Sequence, residues 1–138
     1  MLVAEKQIEV RYAETDQMGV VYHANYLVWF ELGRTQLIKD LGFEYAEMEK
    51  QGVLSPVVDL QISYKKSLKY GQIATVKTSV KSLGPIKVVY SYEVFNDQGE
   101  LCSIGESTHV IVSKEDFKPL KFKKKFPEWY AAYEKAMK

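Results

Sequence analysis

The residues of this chain best suited to chemistry lie close together in the stretch TDQMGVVYHANY, residues 15–26. Asp16 offers a carboxylate that can act as a nucleophile or a general base, and His23 offers a ring that titrates near neutral pH. Gly19, between them, permits a tight turn. A long apolar run follows at once, so the stretch lies where a hydrophobic helix begins. An acid placed there is costly unless it has a task.

The helix that would position these groups is predicted over residues 22–41. Its apolar residues recur at steps of three and four: Tyr26, Trp29, Phe30, Gly33, Leu37 and Leu41, with Leu27, Val28, Leu32 and Ile38 on most other sides. Such a pattern is typical of a buried helix. Gly33 costs about 1 kcal/mol relative to alanine, which is tolerable where another backbone must come close. Gly42 is expected to end the helix in the left-handed conformation.

The rest of the chain alternates in the manner of strands. Strands are predicted over residues 5–12, with Ile8, Val10 and Tyr12 on one face, and over 58–65, 73–83, 86–94 and about 101–112. Gly105 indicates a bulge in the last of these strands. Short helices are expected around residues 44–51 and after Pro127.

Composition sets the outer bounds. The chain has 138 residues, 46% of them apolar and 27% charged, which is ordinary for one globular domain spanning 1–138. The net charge is +1, and the single cysteine, Cys102, excludes an internal disulfide framework. The N-terminal residues do not resemble a signal peptide, and no apolar segment is long enough to span a bilayer. We therefore expect a cytoplasmic protein without a membrane segment.

One strand, a long apolar helix and four further strands predict an α+β fold, in which a five-stranded antiparallel sheet wraps around one central helix. This order resembles that of the hot-dog fold. A single sheet cannot cover every side of such a helix, and its edge strands need protection. A homodimer that extends the sheet would solve both problems, with a homotetramer as a further step.

The stretch from Tyr12 to Tyr26, followed by Phe30-Glu31 and Arg34, closely resembles the 4-hydroxybenzoyl-CoA thioesterase-like family of hot-dog acyl-CoA thioesterases. The later segments Val58-Asp59-Leu60, Tyr64-Lys65-Lys66 and Tyr70-Gly71 are similar to that family too. The resemblance covers essentially the whole chain, with about ten matched positions in fixed order in its first stretch. It implies hydrolysis of an acyl-CoA thioester to a free acid and coenzyme A.

The resemblance also implies roles for the residues around the helix start. Asp16 would be the catalytic carboxylate, as nucleophile or general base, and the N–H groups near Tyr22 and His23 would polarise the thioester carbonyl. Gly19 would let the acyl group pass close to the backbone. His23 could bind Asp16, a water or the acyl group, or be only a polar residue of the first helical turn.

Other candidate residues surround these. Asn25 and Tyr26 are expected to contribute to substrate binding, although Asn25 is better suited to bracing the loop. Lys65 and Lys66, with Lys69 beyond them, would meet the phosphates of coenzyme A. Lysines 121–125 could reach a partner subunit or those phosphates. Glu31 and Arg34 are one turn apart and predict an ion pair, and His109 is expected in the core or at an interface.

The expected partners are an acyl-CoA substrate and further copies of the chain. Two histidines without a carboxylate cluster give a metal site little support, no cofactor is implied, and nucleic-acid binding has no motif here. Two alternatives stay open. The same fold could serve as a non-catalytic acyl-CoA binding or sensing module, or as an acyl-thioester dehydratase that uses a histidine as its base.

Overall fold

Five antiparallel strands form the main sheet of the computed structural model, which describes all 138 residues. Their order across the sheet is β1-β4-β5-β6-β3, and a separate pair, β2 and β7, continues one end. The elements are β1 (Ala4–Glu9), α1 (Asn25–Asp40), α2 (Tyr45–Lys50), β2 (Val53–Leu54), β3 (Val57–Tyr64), β4 (Ile73–Leu83), β5 (Lys87–Phe95), β6 (Leu101–Val110), β7 (Val112–Ser113), α3 (Phe122–Lys125) and α4 (Pro127–Ala136). The predicted α+β architecture is confirmed.

Helix α1 packs across β1, β4 and β5, with Trp29, Phe30 and Leu37 almost fully buried. A Cβ atom at Gly33 would lie 2.8 Å from Cγ1 of Val76 and still closer to the Thr78 hydroxyl. Gly33 is thus at a close contact, but the expectation that another backbone comes close here is wrong, because the contact is made to side chains of β4. As predicted, Gly42 ends the helix region in a left-handed conformation, with φ of 89°.

Three sequence expectations about α1 and its neighbours are corrected by the structure. The helix begins at Asn25 and not at Tyr22. Val28 and Leu32 are exposed, so a single chain does not bury the helix on all sides. Tyr12 is not part of β1, because the chain leaves the sheet after Glu9 and forms a short 3-10 turn in which the Tyr12 side chain is exposed.

Gly105 was expected at a bulge, and this expectation is wrong. It pairs regularly with Ile62 of β3 and with Tyr92 of β5. A Cβ atom here would lie 2.5 Å from the Phe30 ring and 2.7 Å from the Gln61 carbonyl oxygen. The Phe30 ring of α1 stacks on the Tyr92 ring of β5, with centroids 4.3 Å apart. Because Gly105 has no side chain, the Phe30 ring can lie directly on the sheet at this position.

The two edges of the sheet differ in chemistry. On β1, Glu5, Gln7 and Glu9 are exposed, which discourages pairing with another strand. On β3, by contrast, the exposed large apolar residues are Val57, Val58, Leu60 and Tyr64. Leu60 pairs with buried Ser107 of β6, so its side chain points toward the helix side of the sheet. One edge of this sheet is thus charged, and the other is apolar and uncovered.

A row of polar side chains crosses the core from α1 toward the start of β3. Arg34 donates to the Tyr92 hydroxyl over 3.1 Å, and Tyr92 and Ser107 lie 2.6 Å apart. Ser107 and His109 are 2.9 Å apart, and Nδ1 of His109 is 2.9 Å from the Ser55 carbonyl. The ion pair predicted between Glu31 and Arg34 is not formed, because Arg34 turns inward. His109 lies in the core, which is one of the two positions expected for it.

The remaining elements close the other end of α1. The predicted second helix is confirmed as α2, and α4 begins at Pro127 as expected. Trp129 of α4 stacks on Phe43 with ring centroids 4.9 Å apart, which fastens the C-terminal segment to the end of α1. None of the helices combines the length and hydrophobicity that crossing a membrane would require.

Candidate active site

Asp16 opens a tight loop between the end of β1 and the start of α1. Its backbone N–H donates to the carbonyl of Val20 over 2.9 Å, and the Gly19 N–H donates to the Asp16 carbonyl over the same distance. Gly19 has φ of 80°, a conformation that favours glycine. The Met18 N–H donates to Oδ1 of Asp16, also at 2.9 Å. The turn thus holds the half-buried carboxylate in place through one oxygen and leaves Oδ2 without a hydrogen bond from the protein.

The start of α1 carries uncommitted backbone donors. Its N-cap residue is Ala24, and no side chain caps the helix. The N–H groups of His23 and Ala24 donate to no acceptor in the protein. The Tyr22 N–H, in contrast, donates to the Glu14 carbonyl over 2.8 Å. The sequence had suggested Tyr22 and His23 together as oxyanion donors, and the structure leaves only the His23 amide of that pair available.

A cavity of about 350 Å³ brings most of the sequence candidates together. Its lining comprises Asp16, Met18, Val20, Val21, His23, Tyr26, Tyr64, Lys65, Lys66 and Ser67. Three parts of the chain meet here: the Asp16 loop, the start of α1 and the end of the edge strand β3. The volume is within the range of small-molecule sites. Gly19 and Tyr22 shape the surrounding backbone but do not line the cavity.

Aromatic rings form one wall of this cavity. The Tyr64 hydroxyl donates to the His23 carbonyl over 2.8 Å, which ties the edge strand to the helix start. The Tyr64 ring lies edge-on to Tyr26 and to His23, with centroid distances of 5.4 and 6.4 Å. Burial, with smaller contributions from neighbouring groups, raises the pKa of Tyr26 to about 12, so its hydroxyl stays neutral. From the sequence, Tyr64 was interpreted as a strand residue within a matched segment and was given no role in the site.

Two of the residues predicted to bind substrate already interact with other residues of the chain. The Asn25 side-chain amide donates to the Glu14 carbonyl over 2.8 Å, and Asn25 does not line the cavity. It therefore braces the loop in place of the substrate contact expected for it. Lys66 forms an ion pair with Glu100, whereas Lys65 has no ion-pair partner. Only Lys65 of these two lysines keeps its full charge available for an anion.

Glu14, which the sequence did not single out, is the main brace of the site. Its side chain is 5% exposed. One carboxylate oxygen accepts the Arg11 N–H at 2.9 Å and the other accepts the Trp29 indole N–H at 2.8 Å. Burial alone would raise the pKa of Glu14, but the hydrogen bonds from Arg11 and Trp29 outweigh burial and lower it. The only sequence signal was an acid two residues before Asp16.

The chain is similar in sequence to a family of known proteins. A family model described as the thioesterase superfamily matches residues 18–103, which is more than half of the chain. The chain belongs to the thioesterase superfamily. Asp16 lies two residues before the matched range, whereas His23, Tyr64 and Lys65 lie within it.

Full-length relatives support this membership of the thioesterase superfamily. The chain is 62% identical to the "Putative acyl-CoA thioesterase YneP" of Bacillus subtilis (strain 168), over all of both chains. It is similar to the solved DHNA-CoA thioesterase of Staphylococcus aureus, with 47% identity, a TM-score of 0.95, and 98% of this chain and 91% of that chain covered. It is also 25% identical to the acyl-CoA thioester hydrolase YbgC of Escherichia coli O157:H7, over 81% of this chain and 84% of that protein. The predicted hot-dog thioesterase fold is confirmed.

Replacement of Glu14 by glutamine is expected to destabilise the thioesterase by about 1–3 kcal/mol at pH 7. The amide offers one acceptor, so either the Arg11 N–H or the Trp29 N–H loses its partner. Because the folded-state pKa of Glu14 is lowered, its ionisation stabilises the fold fully above the unfolded pKa, and this contribution disappears as pH falls through the folded pKa.

Urea unfolding at pH 7 and at pH 3.5 would measure the effect. The difference in unfolding free energy between wild type and Glu14→Gln should be smaller at the acidic pH. Glu9→Gln, an exposed residue at the end of β1, is the matched control and should change stability little at either pH. An equal destabilisation at both values would contradict a role for the ionised carboxylate.

Proposed function

We propose that this thioesterase hydrolyses aromatic acyl-CoA thioesters, with Asp16 as the catalytic carboxylate and the amides at the start of α1 as the oxyanion site. Hydrolysis of acyl-CoA thioesters is the activity named for the relatives, and this chain is a thioester hydrolase. The observation that carries the residue assignment is the shared cavity, which places the Asp16 carboxylate beside an uncapped helix start.

The arrangement supports the following chemistry. The thioester carbonyl oxygen would accept the His23 N–H at the positive end of α1, so that the charge that develops in the tetrahedral intermediate is stabilised. Asp16 would then either attack the carbonyl carbon or remove a proton from a water that attacks it. Where a water attacks, the carbon–sulfur bond then breaks, the thiolate takes up a proton, and the free acid and coenzyme A leave. Where Asp16 attacks, the same bond breaks to release coenzyme A and leaves a mixed anhydride on Asp16, which a water then hydrolyses to the free acid and the regenerated carboxylate.

The free oxygen of Asp16 fits either role. Oδ1 is engaged by the Met18 N–H, while Oδ2 accepts no hydrogen bond from the protein. A carboxylate anchored through one oxygen presents the other in a fixed direction, which lowers the entropy lost on reaching the transition state. The hydrogen bond from Tyr64 holds the His23 backbone in place, so the His23 N–H would stay available to the thioester oxygen. The imidazole would then be free to contact the acyl group.

The aromatic preference rests on the wall formed by Tyr26, Tyr64 and His23. Rings that already meet edge to face offer the same kind of contact to an aromatic acyl group. The Staphylococcus aureus relative at 47% identity is named for DHNA-CoA, and a Thermosynechococcus vestitus relative for 1,4-dihydroxy-2-naphthoyl-CoA. Both names describe aromatic acyl groups.

Assembly into a homodimer belongs to the same proposal. The site opens at the end of β3, whose apolar residues are exposed in a single chain. Pairing β3 with β3 of a second copy would extend the sheet to ten strands, cover these residues and close the cavity from the partner side. A tetramer would require further contacts, for which the exposed Val28 and Leu32 of α1 are available.

A panel of acyl-CoA thioesters tests the substrate proposal. Purified enzyme should show a kcat/KM for 1,4-dihydroxy-2-naphthoyl-CoA and benzoyl-CoA roughly tenfold above that for butyryl-CoA and palmitoyl-CoA, since an aromatic pair contributes up to about 1.5 kcal/mol. Release of the free thiol can be followed with a thiol reagent. Equal rates on all four thioesters would contradict the aromatic preference without affecting the assignment of thioester hydrolysis.

A further inference from the structure

The imidazole of His23 is a polar group of the cavity that catalysis by Asp16 does not use. His23 lines the cavity and is exposed. The hydrogen bonds of the two histidine residues involve the carbonyl oxygen of His23, which accepts from Tyr64, and the ring of His109. Both ring nitrogens of His23 are therefore without a partner within the chain, and they can form hydrogen bonds with a bound substrate.

The hydroxyl groups of the cavity are less suited to contact the thioester end of the acyl group. They belong to Tyr26, Tyr64 and Ser67. The Tyr64 hydroxyl already donates to the His23 carbonyl, and Tyr26 is only 3% exposed. Ser67 is exposed, but it belongs to the segment that follows β3 and not to the start of α1. His23 is thus the residue at the helix start whose side chain is both exposed and unpaired.

The backbone of His23 determines where its ring lies relative to the thioester. The His23 N–H is the proposed donor to the carbonyl oxygen, and the ring is attached to the same Cα atom through a single CH₂ group. The ring contacts that of Tyr22, with centroids 4.4 Å apart, and it lies edge-on to the Tyr64 ring at 6.4 Å. These neighbours restrict its rotation. The imidazole is therefore held beside the place where the thioester carbonyl would bind.

The chemistry of an aromatic acyl group then indicates what the imidazole would contact. The ring positions nearest the carbonyl oxygen are the ortho positions. A hydroxyl at one of them can donate its proton to the carbonyl oxygen, and it keeps lone pairs that can accept a proton from another donor. A hydroxyl at the para position points away from the thioester and cannot reach the same donor.

We propose that the His23 imidazole recognises a hydroxyl ortho to the thioester carbonyl, so that 2-hydroxyaroyl-CoA thioesters are preferred among aromatic substrates. This inference rests on the proposed function, in which the His23 N–H is the oxyanion donor. An imidazole N–H would donate to the hydroxyl oxygen, and the hydroxyl would donate to the carbonyl oxygen. The latter bond strengthens as negative charge develops on the carbonyl oxygen, so the arrangement favours the transition state over the ground state.

Two isomeric thioesters isolate this contact. 2-Hydroxybenzoyl-CoA and 4-hydroxybenzoyl-CoA contain the same atoms and differ only in the position of the hydroxyl. Their intrinsic reactivities cancel when the ratio of their kcat/KM values is compared between the wild type and a variant. His23→Phe keeps a ring and the backbone N–H but has no ring nitrogen. It should lower the ratio of the 2-hydroxy to the 4-hydroxy isomer by roughly tenfold, the loss expected for one hydrogen bond that strengthens in the transition state.

Tyr26→Phe and Ser67→Ala are the matched controls, because each removes one of the other hydroxyl groups that a substrate hydroxyl could contact. A change in the overall rate would affect both isomers alike, so the ratio should stay at the wild-type value. Circular dichroism would check that all three variants are folded. A wild-type ratio in folded His23→Phe would overturn the proposal, and so would a ratio that falls in Tyr26→Phe or Ser67→Ala but not in His23→Phe.

Failure of the proposed function gives a different result. Hydrolysis of 4-hydroxybenzoyl-CoA no faster than that of butyryl-CoA would contradict the aromatic preference, and an active Asp16→Asn variant would contradict the catalytic role of Asp16. The ratio of the two isomers, measured in the wild type and in His23→Phe, would still decide whether the imidazole recognises the ortho hydroxyl.

Discussion

Asp16→Asn should fold like the wild type and lose turnover by roughly 10²–10⁴-fold, the range expected when a positioned carboxylate is removed from a reaction. The asparagine side chain keeps an oxygen that can accept the Met18 N–H, so the turn should persist. The variant lacks the negatively charged carboxylate oxygen that would attack the carbonyl carbon or deprotonate a water. Release of coenzyme A at saturating acyl-CoA would measure turnover, and circular dichroism would check that the variant is folded.

Asp116→Asn is the matched control for this experiment. Asp116 is exposed after β7, at the opposite end of β6 from the strand residues that pair with Tyr64, and its Oδ1 accepts the Lys118 N–H two residues on, as Oδ1 of Asp16 accepts that of Met18. Its replacement should leave turnover unchanged. A folded Asp16→Asn variant that hydrolyses acyl-CoA at the wild-type rate would remove Asp16 from the mechanism. Another nucleophile or base would then be needed, and the imidazole of His23, which also lines the cavity, would be the next candidate.

Leu60→Glu should convert the proposed β3 dimer into monomers and reduce activity by at least roughly 100-fold. Leu60 is exposed in the single chain, so glutamate there leaves the isolated fold intact. In the dimer, the two-fold axis near the middle of β3 would bring two carboxylates together in an apolar interface, at an effective penalty of several kcal/mol per ion. Analytical ultracentrifugation at micromolar concentration would report the mass, and acyl-CoA turnover would report the site.

A substitution on β1, the charged edge of the sheet, is the control. Gln7→Glu adds the same charge to β1, where Glu5 and Glu9 are already exposed, and should change neither mass nor turnover. If Leu60→Glu remains dimeric and active, β3 is not the interface. If it becomes a fully active monomer, the cavity is complete in one chain.

The sequence was most informative where periodicity and motif agreed. The alternation of Leu60, Ile62 and Tyr64 predicted a strand, and the apolar steps around Trp29 and Phe30 predicted a long helix, because burial imposes these periods on a chain. Asp16, Gly19 and His23 were picked out by residue type and order. Their grouping around one helix start needed only local chain geometry.

What the sequence could not provide were contacts between distant segments. The buried Glu14 is held by Trp29, fifteen residues away, and nothing in a sequence shows which carboxylate will accept an indole proton. Gly105 was interpreted as a bulge because glycine in a strand has several uses, and only the position of Phe30 decides among them. Tyr22 and His23 are adjacent, but only a three-dimensional register shows that the Tyr22 amide is taken by Glu14.

In the row of polar groups from Arg34 to Ser55, every hydrogen bond must be donated in the direction that leads from Arg34. The Ser55 carbonyl accepts only, so Nδ1 of His109 must hold a proton and Nε2 must be the acceptor. The hydroxyl protons of Ser107 and Tyr92 are then fixed in turn, back to a guanidinium that can only donate.

A second proton on Nε2 of His109 would take the place of the Ser107 hydroxyl proton, which would then have to turn away from the row. This agrees with a pKa of His109 lowered to about 4, chiefly by burial. The unfolded chain, in which histidine titrates near 6.5, takes up that proton first, so stability falls as pH drops from about 6.5 toward 4. The row therefore gives this part of the core a fixed polarity. It sets the tautomer of a histidine that does not line the cavity, and it makes the stability of the fold depend on pH in the acid range.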